Sequence, residues 1–195
     1  VTNVGLNKIH RVDVKTGAYE TINPFKDMPK GERHSAYGMN ADKQNNLWFN
    51  DFSAEAIVKI DAKTLAVSVF KTGTAKSRPR RGHMDENDRL AFAEFYGDRA
   101  GILDTKTGKM TEYAVPTQHS APYDAALDRH GFLWTAGMET DRIIRINTQT
   151  AETTEYPLPR QTNIRRIFVD DSTKPSIVWI GNNEGASIIK LQPLD

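Results

Sequence analysis

The sequence predicts an all-β fold, a β-propeller of four-stranded antiparallel blades. A unit of roughly 43 residues recurs along the chain, which is a period typical of propeller blades. No apolar stripe with helical spacing extends beyond about two turns, so we expect very little helix. The recurring second-strand segments are Asn46–Phe49, Arg89–Phe92, Phe132–Thr135 and Ile177–Ile180.

Each repeat is interpreted as four strands. The first is short, as in Ala36–Ala41, and ends at an aspartate that opens a tight turn, because Asp side chains accept hydrogen bonds from backbone N–H groups two residues on. The second strand carries leucine and tryptophan, and the third is rich in isoleucine, as in Ile143–Ile146. A hairpin with glycine in the left-handed region, such as Asp104–Gly108, leads to the fourth strand. Proline ends that strand in Thr111–Pro116, which suits an outer edge.

The chain of 195 residues is expected to form a single β-propeller with about four to five blades represented and a partial blade at each end. Residues 1–25 should supply outer strands and residues 163–195 inner ones. Either these two parts combine to close a small ring, or the ring needs further blades. Open strand edges would favour a homodimer. The approximate repeats are 1–34 (partial), 35–78, 79–120, 121–162 and 163–195 (partial).

Composition limits the classes of function. Hydrophobic residues are 38% and charged residues 26%, as in soluble globular proteins, and the net charge of +1 argues against nucleic acid or an acidic membrane as a partner. No apolar stretch reaches about 18 residues, the length that spans a bilayer. Cysteine is absent, which excludes disulfides and thiolate chemistry. The chain begins with Val1 inside a repeat, so we interpret it as a piece of a longer chain and expect a periplasmic or extracellular location.

The repeats resemble those of the virginiamycin B lyase (streptogramin lyase) family over essentially the whole chain. The segments that carry the resemblance are Ser120–Tyr123, Leu133–Trp134, Arg142–Ile146 and Glu155–Pro159. The resemblance implies a seven-bladed propeller that opens the ester of a cyclic depsipeptide antibiotic by elimination, with a magnesium ion. Such chemistry needs a base for the proton next to a carbonyl and a cation for the enolate charge.

The family places histidines at the start of innermost strands, at the channel mouth, and a glutamate two residues before the last of them. In this chain no histidine occupies those positions, and the glutamate position is Asn163. When the chain is aligned from its C-terminus, the two histidine-bearing blades of the lyase correspond to the blades that contain Tyr123 and Arg165. The four positions, which we predict to bind ligand, are Tyr37, Arg81 (or Arg80, since the alignment gap is ambiguous), Tyr123 and Arg165.

Tyrosine and arginine together suit an anionic or carbonyl-bearing ligand, because arginine offers a rigid fork of donors. The alternative is an ion-paired plug that fills the axis. We therefore expect a virginiamycin-B-lyase-like propeller that binds a small ligand at the channel mouth, with a metal-dependent carbon–oxygen lyase as its enzymatic form. Two alternatives are a non-catalytic ligand- or protein-binding domain of a larger extracytoplasmic protein and a lactonase-type metal hydrolase, for which no motif matches.

A metal site is predicted where the second strands end with oxygen-bearing side chains. Mg²⁺ and Ca²⁺ prefer such oxygen ligands. The alternative is that these side chains pair with Arg80, Arg81 or Arg165 or cap turns. The predicted metal ligands are Asp51, Glu94 and Asn182, and the fourth blade has Gly137 at the same position.

No pattern identifies the catalytic residues, and the candidates are His34, His119 and Glu94. Both histidines precede an innermost strand, where one could act as a general base near neutral pH. The basic run 76–81 is interpreted as a solvated loop between blades rather than a phosphate site, because acids follow at once. The tryptophans at blade spacing are predicted to be core residues between blades: Trp48, Trp134 and Trp179.

Overall fold

The computed structural model describes residues 2–3, 7–29 and 31–194, and all their regular secondary structure is β-strand. The strands form five antiparallel sheets that follow one another in chain order, so the predicted all-β propeller architecture is confirmed. These described residues contain no helix of the length and apolarity needed to cross a membrane.

The strands of the five sheets are as follows. The first sheet contains β1 (Thr2–Asn3), β2 (Lys8–Val12) and β3 (Tyr19–Ile22). The second contains β4 (Ala36–Ala41), β5 (Leu47–Asp51), β6 (Ala56–Ile60) and β7 (Val67–Lys71). The third contains β8 (Arg89–Glu94), β9 (Arg99–Asp104) and β10 (Met110–Ala114). The fourth contains β11 (Pro122–Leu127), β12 (Phe132–Gly137), β13 (Arg142–Asn147) and β14 (Thr153–Pro157), and the fifth contains β15 (Ile167–Asp170), β16 (Ile177–Asn182) and β17 (Ser187–Leu191).

The third sheet also has an innermost segment, residues 79–84, which pairs irregularly with β8. The Arg80 N–H donates to the Ala93 carbonyl at 2.9 Å, and the Ala93 N–H donates to the Arg81 carbonyl at 2.9 Å. Isolated bridges join Pro79 to Glu94 and Met84 to Leu90. Proline supplies no N–H to a ladder, which accounts for part of the irregularity. The basic run therefore ends in an innermost segment, and its interpretation as a solvated loop was wrong for Arg80 and Arg81.

The innermost strands of the second and fourth sheets each contain a break in register. The shift lies between Ala36 and Met39 in β4 and between Pro122 and Ala125 in β11. A bulge of this kind bends the strand and redirects the side chains at the irregularity. Tyr37 and Tyr123 lie at these two breaks, so the bulges decide where the two phenol groups point.

The first and fifth sheets have three strands each and stay separate in the described part of the chain. The fifth sheet supplies inner strands and the first supplies outer ones, as the repeats predict. The two partial blades therefore do not combine into one sheet among these residues. A homodimer through open edges stays a prediction.

Apolar side chains fill the spaces between neighbouring sheets. Trp48 packs with Phe92 between the second and third sheets, and Trp134 packs with Val178 between the fourth and fifth. Alanines and Ile144 fill the space between the third and fourth. Each tryptophan contact removes a large apolar surface from water, which is the main stabilising contribution in such a stack.

The aspartates of the predicted turns also accept hydrogen bonds from these tryptophans. Asp42 Oδ1 accepts hydrogen bonds from the backbone N–H groups of Gln44 and Asn46, both at 2.9 Å, while its Oδ2 accepts one from Trp48 Nε1 at 2.9 Å. In the fourth sheet, Asp128 Oδ2 accepts one from Trp134 Nε1 at 2.8 Å. One carboxylate therefore closes the turn and also satisfies a buried indole N–H.

Trp179 departs from this pattern, and its prediction as a core residue was wrong. Its side chain is 37% exposed, and its neighbours Phe168 and Ile188 are 62% and 76% exposed. Trp179 lies opposite Phe168 in the register of β15 and β16, on the face turned away from the fourth sheet, whereas Val178 and Ile180 pack on that sheet. A core position for Trp179 would need a further sheet against this outer face.

Candidate functional site

The structure brings the four predicted ligand-binding residues together: Tyr37 and Tyr123 lie in β4 and β11, Arg81 in the segment 79–84, and Arg165 just before β15. The Tyr37 and Tyr123 hydroxyl oxygens lie 2.6 Å apart, and the Arg81 guanidinium carbon lies 5.2 Å from the Tyr37 ring centroid and 5.4 Å from that of Tyr123. Arg81 Nη1 donates to the Arg165 carbonyl at 3.5 Å, and the Arg165 guanidinium lies 6.0 Å from the Tyr123 ring. The hydroxyl contact joins the second sheet to the fourth, across the strand that the third sheet contributes.

Arg80 is a further member of this group, so both residues at the ambiguous position belong to it. The Arg80 guanidinium lies over aromatic rings on several sides. Its distances to the ring centroids are 3.7 Å to Phe95, 4.4 Å to Phe52, 4.5 Å to Tyr123 and 5.9 Å to Tyr37. We name the set Tyr37, Arg80, Arg81, Tyr123 and Arg165 the arginine–tyrosine cluster.

The arginines of the cluster lack acidic partners. In residues 2–3, 7–29 and 31–194, none of Arg80, Arg81 and Arg165 forms an ion pair with a carboxylate. The Arg80 Nε atom is buried without a hydrogen-bond partner, while the Arg165 Nε donates only to the Asn163 side chain, at 2.7 Å. The cluster therefore carries unneutralised positive charge, and the alternative of an ion-paired plug is not what these residues form.

The nearby Asp124 is engaged elsewhere. This carboxylate is buried, and its Oδ2 accepts from the Ile167 N–H at 3.3 Å. The same oxygen lies 3.2 Å from His83 Nε2 and 3.7 Å from Arg166 Nη1. The partners of Asp124 thus lie outside the arginine–tyrosine cluster, and Asp124 does not pair with the guanidinium groups of the cluster.

The pKa values of the two tyrosines shift in opposite directions, although Arg80 and Arg81 lie beside both rings. Burial by itself would raise the pKa of Tyr37, but the hydrogen bond with Tyr123 and the charges of Arg81 and Arg80 bring that pKa below its ordinary value. Burial and the hydrogen bond to Tyr37 raise the pKa of Tyr123. Either hydroxyl can be the donor in this hydrogen bond.

An apolar wall borders the cluster, and sequence reasoning missed it. Phe95, Ala121 and Tyr123 are buried, with Phe52 and Met138 packed against them. A repeat signal was present, since a large apolar residue directly follows the second strand in three repeats. Those residues are Phe52, Phe95 and Met138.

The three predicted metal ligands each have separate local surroundings. Asp51 Oδ1 accepts from the Ser35 N–H at 2.7 Å, and its Oδ2 lies 2.6 Å from His34 Nδ1. The Asn182 side-chain oxygen accepts from the Gly185 N–H at 2.8 Å. No three His, Asp or Glu side chains in the described part of the chain are arranged to hold a metal ion.

Glu94, the third of these residues, has a carboxyl group that is enclosed by the protein. The side chain is 0% exposed, and both oxygens lack a hydrogen-bond donor. Burial, together with the charge of Glu112, raises the pKa of Glu94 to about 8, so this carboxyl is mostly neutral at neutral pH. The predicted Mg²⁺ or Ca²⁺ site at Asp51, Glu94 and Asn182 stays a prediction.

The two candidate histidines lie in different surroundings. His34 is 8% exposed, stacks on Phe25 with ring centroids 4.3 Å apart, and lines a cavity of about 430 Å³ together with Asp51. His119 is exposed, and its backbone N–H donates to Asp98 at 2.7 Å. Among the described residues, neither histidine has a hydrogen bond, ion pair or ring contact with the arginine–tyrosine cluster.

The hydrogen bond at His119 is one of three similar hydrogen bonds that connect neighbouring sheets. In the second, third and fourth sheets, an acid in the turn after the second strand of the repeat accepts a backbone N–H from the segment that enters the next sheet. Glu55 accepts from Lys76, Asp98 from His119, and Asp141 from Thr162. The placement of His119 is therefore explained by this connection between neighbouring sheets.

Comparison with known proteins agrees with this architecture. Residues 25–193 match the model of the virginiamycin B lyase family. A catalytically inactive virginiamycin B lyase from Staphylococcus aureus with quinupristin has a TM-score of 0.82 at 21% identity, covering 99% of this chain and 62% of that chain. A streptogramin B lyase structure has a TM-score of 0.77 at 23% identity, covering 98% and 64%. The RRP9 WD40 repeats have a TM-score of 0.77 at 13% identity, covering 96% and 55%.

At these identities the solved structures establish the fold alone. The chain spans less than two thirds of the length of the two lyase chains. No curated protein sequence matches it significantly. The family model, however, matches well over half of the chain. The chain therefore belongs to the virginiamycin B lyase family.

Proposed function

We propose that this protein binds a small molecule carrying a carboxylate, or a comparable anionic and carbonyl-bearing group, in the arginine–tyrosine cluster at the channel mouth. The observation that carries the proposal is the set of guanidinium groups without a carboxylate partner, one of which has a buried, unpartnered Nε atom. Arg80 and Arg81 are partly buried while Arg165 is exposed, and a charge removed from water is costly unless it is paired. An anion from a ligand supplies the missing partner.

The shape and chemistry of the cluster favour a carboxylate. A guanidinium group offers parallel N–H donors that match the two oxygens of a carboxylate, and such charge-assisted bonds are stronger than neutral ones. The apolar wall of Phe52, Phe95 and Met138 lies beside these donors. Because apolar surroundings lower the effective dielectric constant, attraction between ligand and arginines is stronger there than in water.

The family relationship supports a ligand site in this fold, since one similar structure is a virginiamycin B lyase with quinupristin. For this chain we propose binding and not metal-dependent elimination. The positions that carry histidine in the resembled lyases carry tyrosine and arginine here, and Asp51 and Asn182 are engaged locally. The proposed function therefore requires ligand binding and no chemical reaction.

Pyruvate is a suitable probe, because it is a small carboxylate with a neighbouring carbonyl. We expect isothermal titration calorimetry to detect binding to the wild type. Arg81→Ala should weaken it by about tenfold or more, since a hydrogen bond to a charged group contributes about 1.5–3 kcal/mol. Neutral pyruvamide should bind more weakly than pyruvate.

Lys106→Ala is the matched control, because it removes one positive charge from an exposed hairpin between β9 and β10. This variant should bind pyruvate as the wild type does. Equal affinities of the Arg81→Ala and Lys106→Ala variants would contradict the proposal. Equal affinities of pyruvate and pyruvamide would contradict it as well.

A further inference from the structure

A cavity of about 430 Å³ lies beside His34 and is lined by parts of the segment before β4 and of β6 and β7. We propose that this cavity binds a free α-amino acid with an aliphatic side chain, held as a zwitterion. None of the described residues that line it belongs to the arginine–tyrosine cluster, so this site is separate from the proposed function. Its volume lies in the range of small-molecule sites, about 300–1,000 Å³.

A histidine nitrogen at this cavity needs a hydrogen-bond partner. The His34 side chain is 8% exposed, and its Nδ1 lies 2.6 Å from Asp51 Oδ2. Its Nε2 is buried and has no hydrogen-bond partner within the described part of the chain. A carboxylate only accepts hydrogen bonds, so Nδ1 carries the proton and, in the neutral ring, Nε2 offers its lone pair. His34 therefore presents an acceptor for an N–H donor from a ligand.

The ring of His34 is held in one orientation. Asp51 is 1% exposed, and its Oδ1 accepts from the backbone N–H groups of Ser35 at 2.7 Å and Ser53 at 3.2 Å. Phe25 stacks on the imidazole with ring centroids 4.3 Å apart and an interplanar angle of 11°. Because the fold fixes both neighbours, the ring is pre-organised, and a ligand loses less free energy in ordering it.

A second acceptor beside His34 favours an ammonium group as the donor. The Glu32 carboxylate lies 3.7 Å from His34 Nε2, which is beyond hydrogen-bond distance. An ammonium group between them donates one N–H to each, and its positive charge suits the carboxylates of Glu32 and Glu55 at the cavity. Among the described residues, neither glutamate forms an ion pair with a lysine or arginine.

The remaining lining residues suit the other parts of an amino acid. Arg33 and Lys71 are exposed at the cavity, where they attract a carboxylate. Met28, Val58 and Val69 supply apolar surface for an aliphatic side chain. A simple amine would leave the two cations unused, and a simple carboxylate would leave the histidine nitrogen without a donor. A zwitterion with an aliphatic side chain therefore matches the lining best.

Leucine is the probe, and the imidazole resonances of His34 report on this cavity. They are assigned with His34→Gln and followed by NMR during the titration. We expect a saturable shift with leucine. The affinity should be at least about tenfold lower for 4-methylpentanoate, which lacks the amino group, and for 3-methylbutylamine, which lacks the carboxylate. Equal affinities for leucine and either analogue would overturn the assignment to an amino acid.

Two variants test the acceptors of the ammonium group. Glu32→Gln removes a carboxylate whose side chain is 54% exposed, so the fold should be kept. Asp51→Asn allows the other tautomer of His34, in which Nε2 carries the proton. Each should weaken leucine binding by about tenfold. Glu139→Gln is the matched control, because it removes one exposed carboxylate from the turn after β12, and it should bind leucine as the wild type does.

The outcomes separate this site from the arginine–tyrosine cluster. If Asp51→Asn does not fold, Glu32→Gln still tests the ammonium contact. An unchanged leucine affinity in Glu32→Gln, or an equal loss in Glu139→Gln, would overturn the proposal. Leucine that shifts the arginine Nε–H signals of the cluster but not the His34 resonances would overturn it as well and would leave the proposed function intact.

Discussion

Gly82→Ala is expected to destabilise the protein by more than about 4 kcal/mol, because the added methyl group has no space. An ideal Cβ at Gly82 would lie 1.7 Å from the carbonyl oxygen of Ala91 in β8. That oxygen accepts the hydrogen bond from the His83 N–H at 3.2 Å. The methyl group would therefore separate the innermost segment 79–84 from β8.

The effect should extend to the arginine–tyrosine cluster. Arg80 and Arg81 lie in the same segment, one and two residues before Gly82. The Gly82 carbonyl also accepts a hydrogen bond from the Asn40 side chain at 3.1 Å, which joins the second sheet to the third. A displaced segment would thus weaken ligand binding as well as stability.

Gly181→Ala is the matched control, because a Cβ there meets nothing within 4 Å. Alanine loses less backbone freedom than glycine on folding, so this variant should change stability by less than about 1 kcal/mol, towards greater stability. Urea unfolding gives both free energies by linear extrapolation. Similar losses of stability in the two variants would contradict the predicted crowding at Gly82.

Glu94→Gln is expected to make the protein more stable than the wild type in alkaline solution. The pKa of Glu94 is raised to about 8 in the folded protein from an ordinary value of 4.5. The unfolded chain therefore loses this proton at lower pH than the folded protein does. The contribution of Glu94 to the free energy of unfolding is fully present below pH 4.5 and is lost as pH rises through about 8. The free energy of unfolding lost over this range is on the order of a few kcal/mol.

Glutamine cannot ionise, so the variant should lack this fall in stability. We expect urea unfolding free energies of wild type and Glu94→Gln to diverge steadily between about pH 5 and pH 9, with the variant favoured at the alkaline end. Glu86→Gln is the control, because Glu86 is exposed in a turn and should show the wild-type pH profile. Parallel profiles for wild type and Glu94→Gln would mean that Glu94 is ionised in the folded protein.

Much of the fold follows from local chemistry that the sequence displays. The repeated aspartate determines a turn and also accepts a hydrogen bond from the tryptophan six residues later, so the Asp42–Trp48 and Asp128–Trp134 pairs identify the blades. The positions of Tyr37, Arg81, Tyr123 and Arg165 were predicted together because innermost strands meet near one axis. Their role in ligand binding stays a prediction.

Other features depend on contacts between distant segments. The hydrogen bond between Tyr37 and Tyr123 depends on two β-bulges that orient the side chains, and the positions of the bulges are determined by strand pairing. Asp51 was assigned to a metal from its position at the end of a second strand, and its hydrogen bonds to His34 and Ser35 could not be inferred from spacing. Trp179 shares the repeat pattern of the buried tryptophans, but its exposure depends on whether a neighbouring sheet covers it.

An NMR titration of the arginine Nε–H groups with pyruvate tests ligand binding at the cluster with residue-level detail. Resonances are assigned with the Arg80→Lys, Arg81→Lys and Arg165→Lys variants. We predict that the Nε–H signals of Arg80, Arg81 and Arg165 shift with one saturable binding curve, while that of Arg11, which is paired with Glu20 in the first sheet, does not move. Unchanged signals for the cluster arginines, or equal shifts for Arg11, would contradict a ligand site in the arginine–tyrosine cluster.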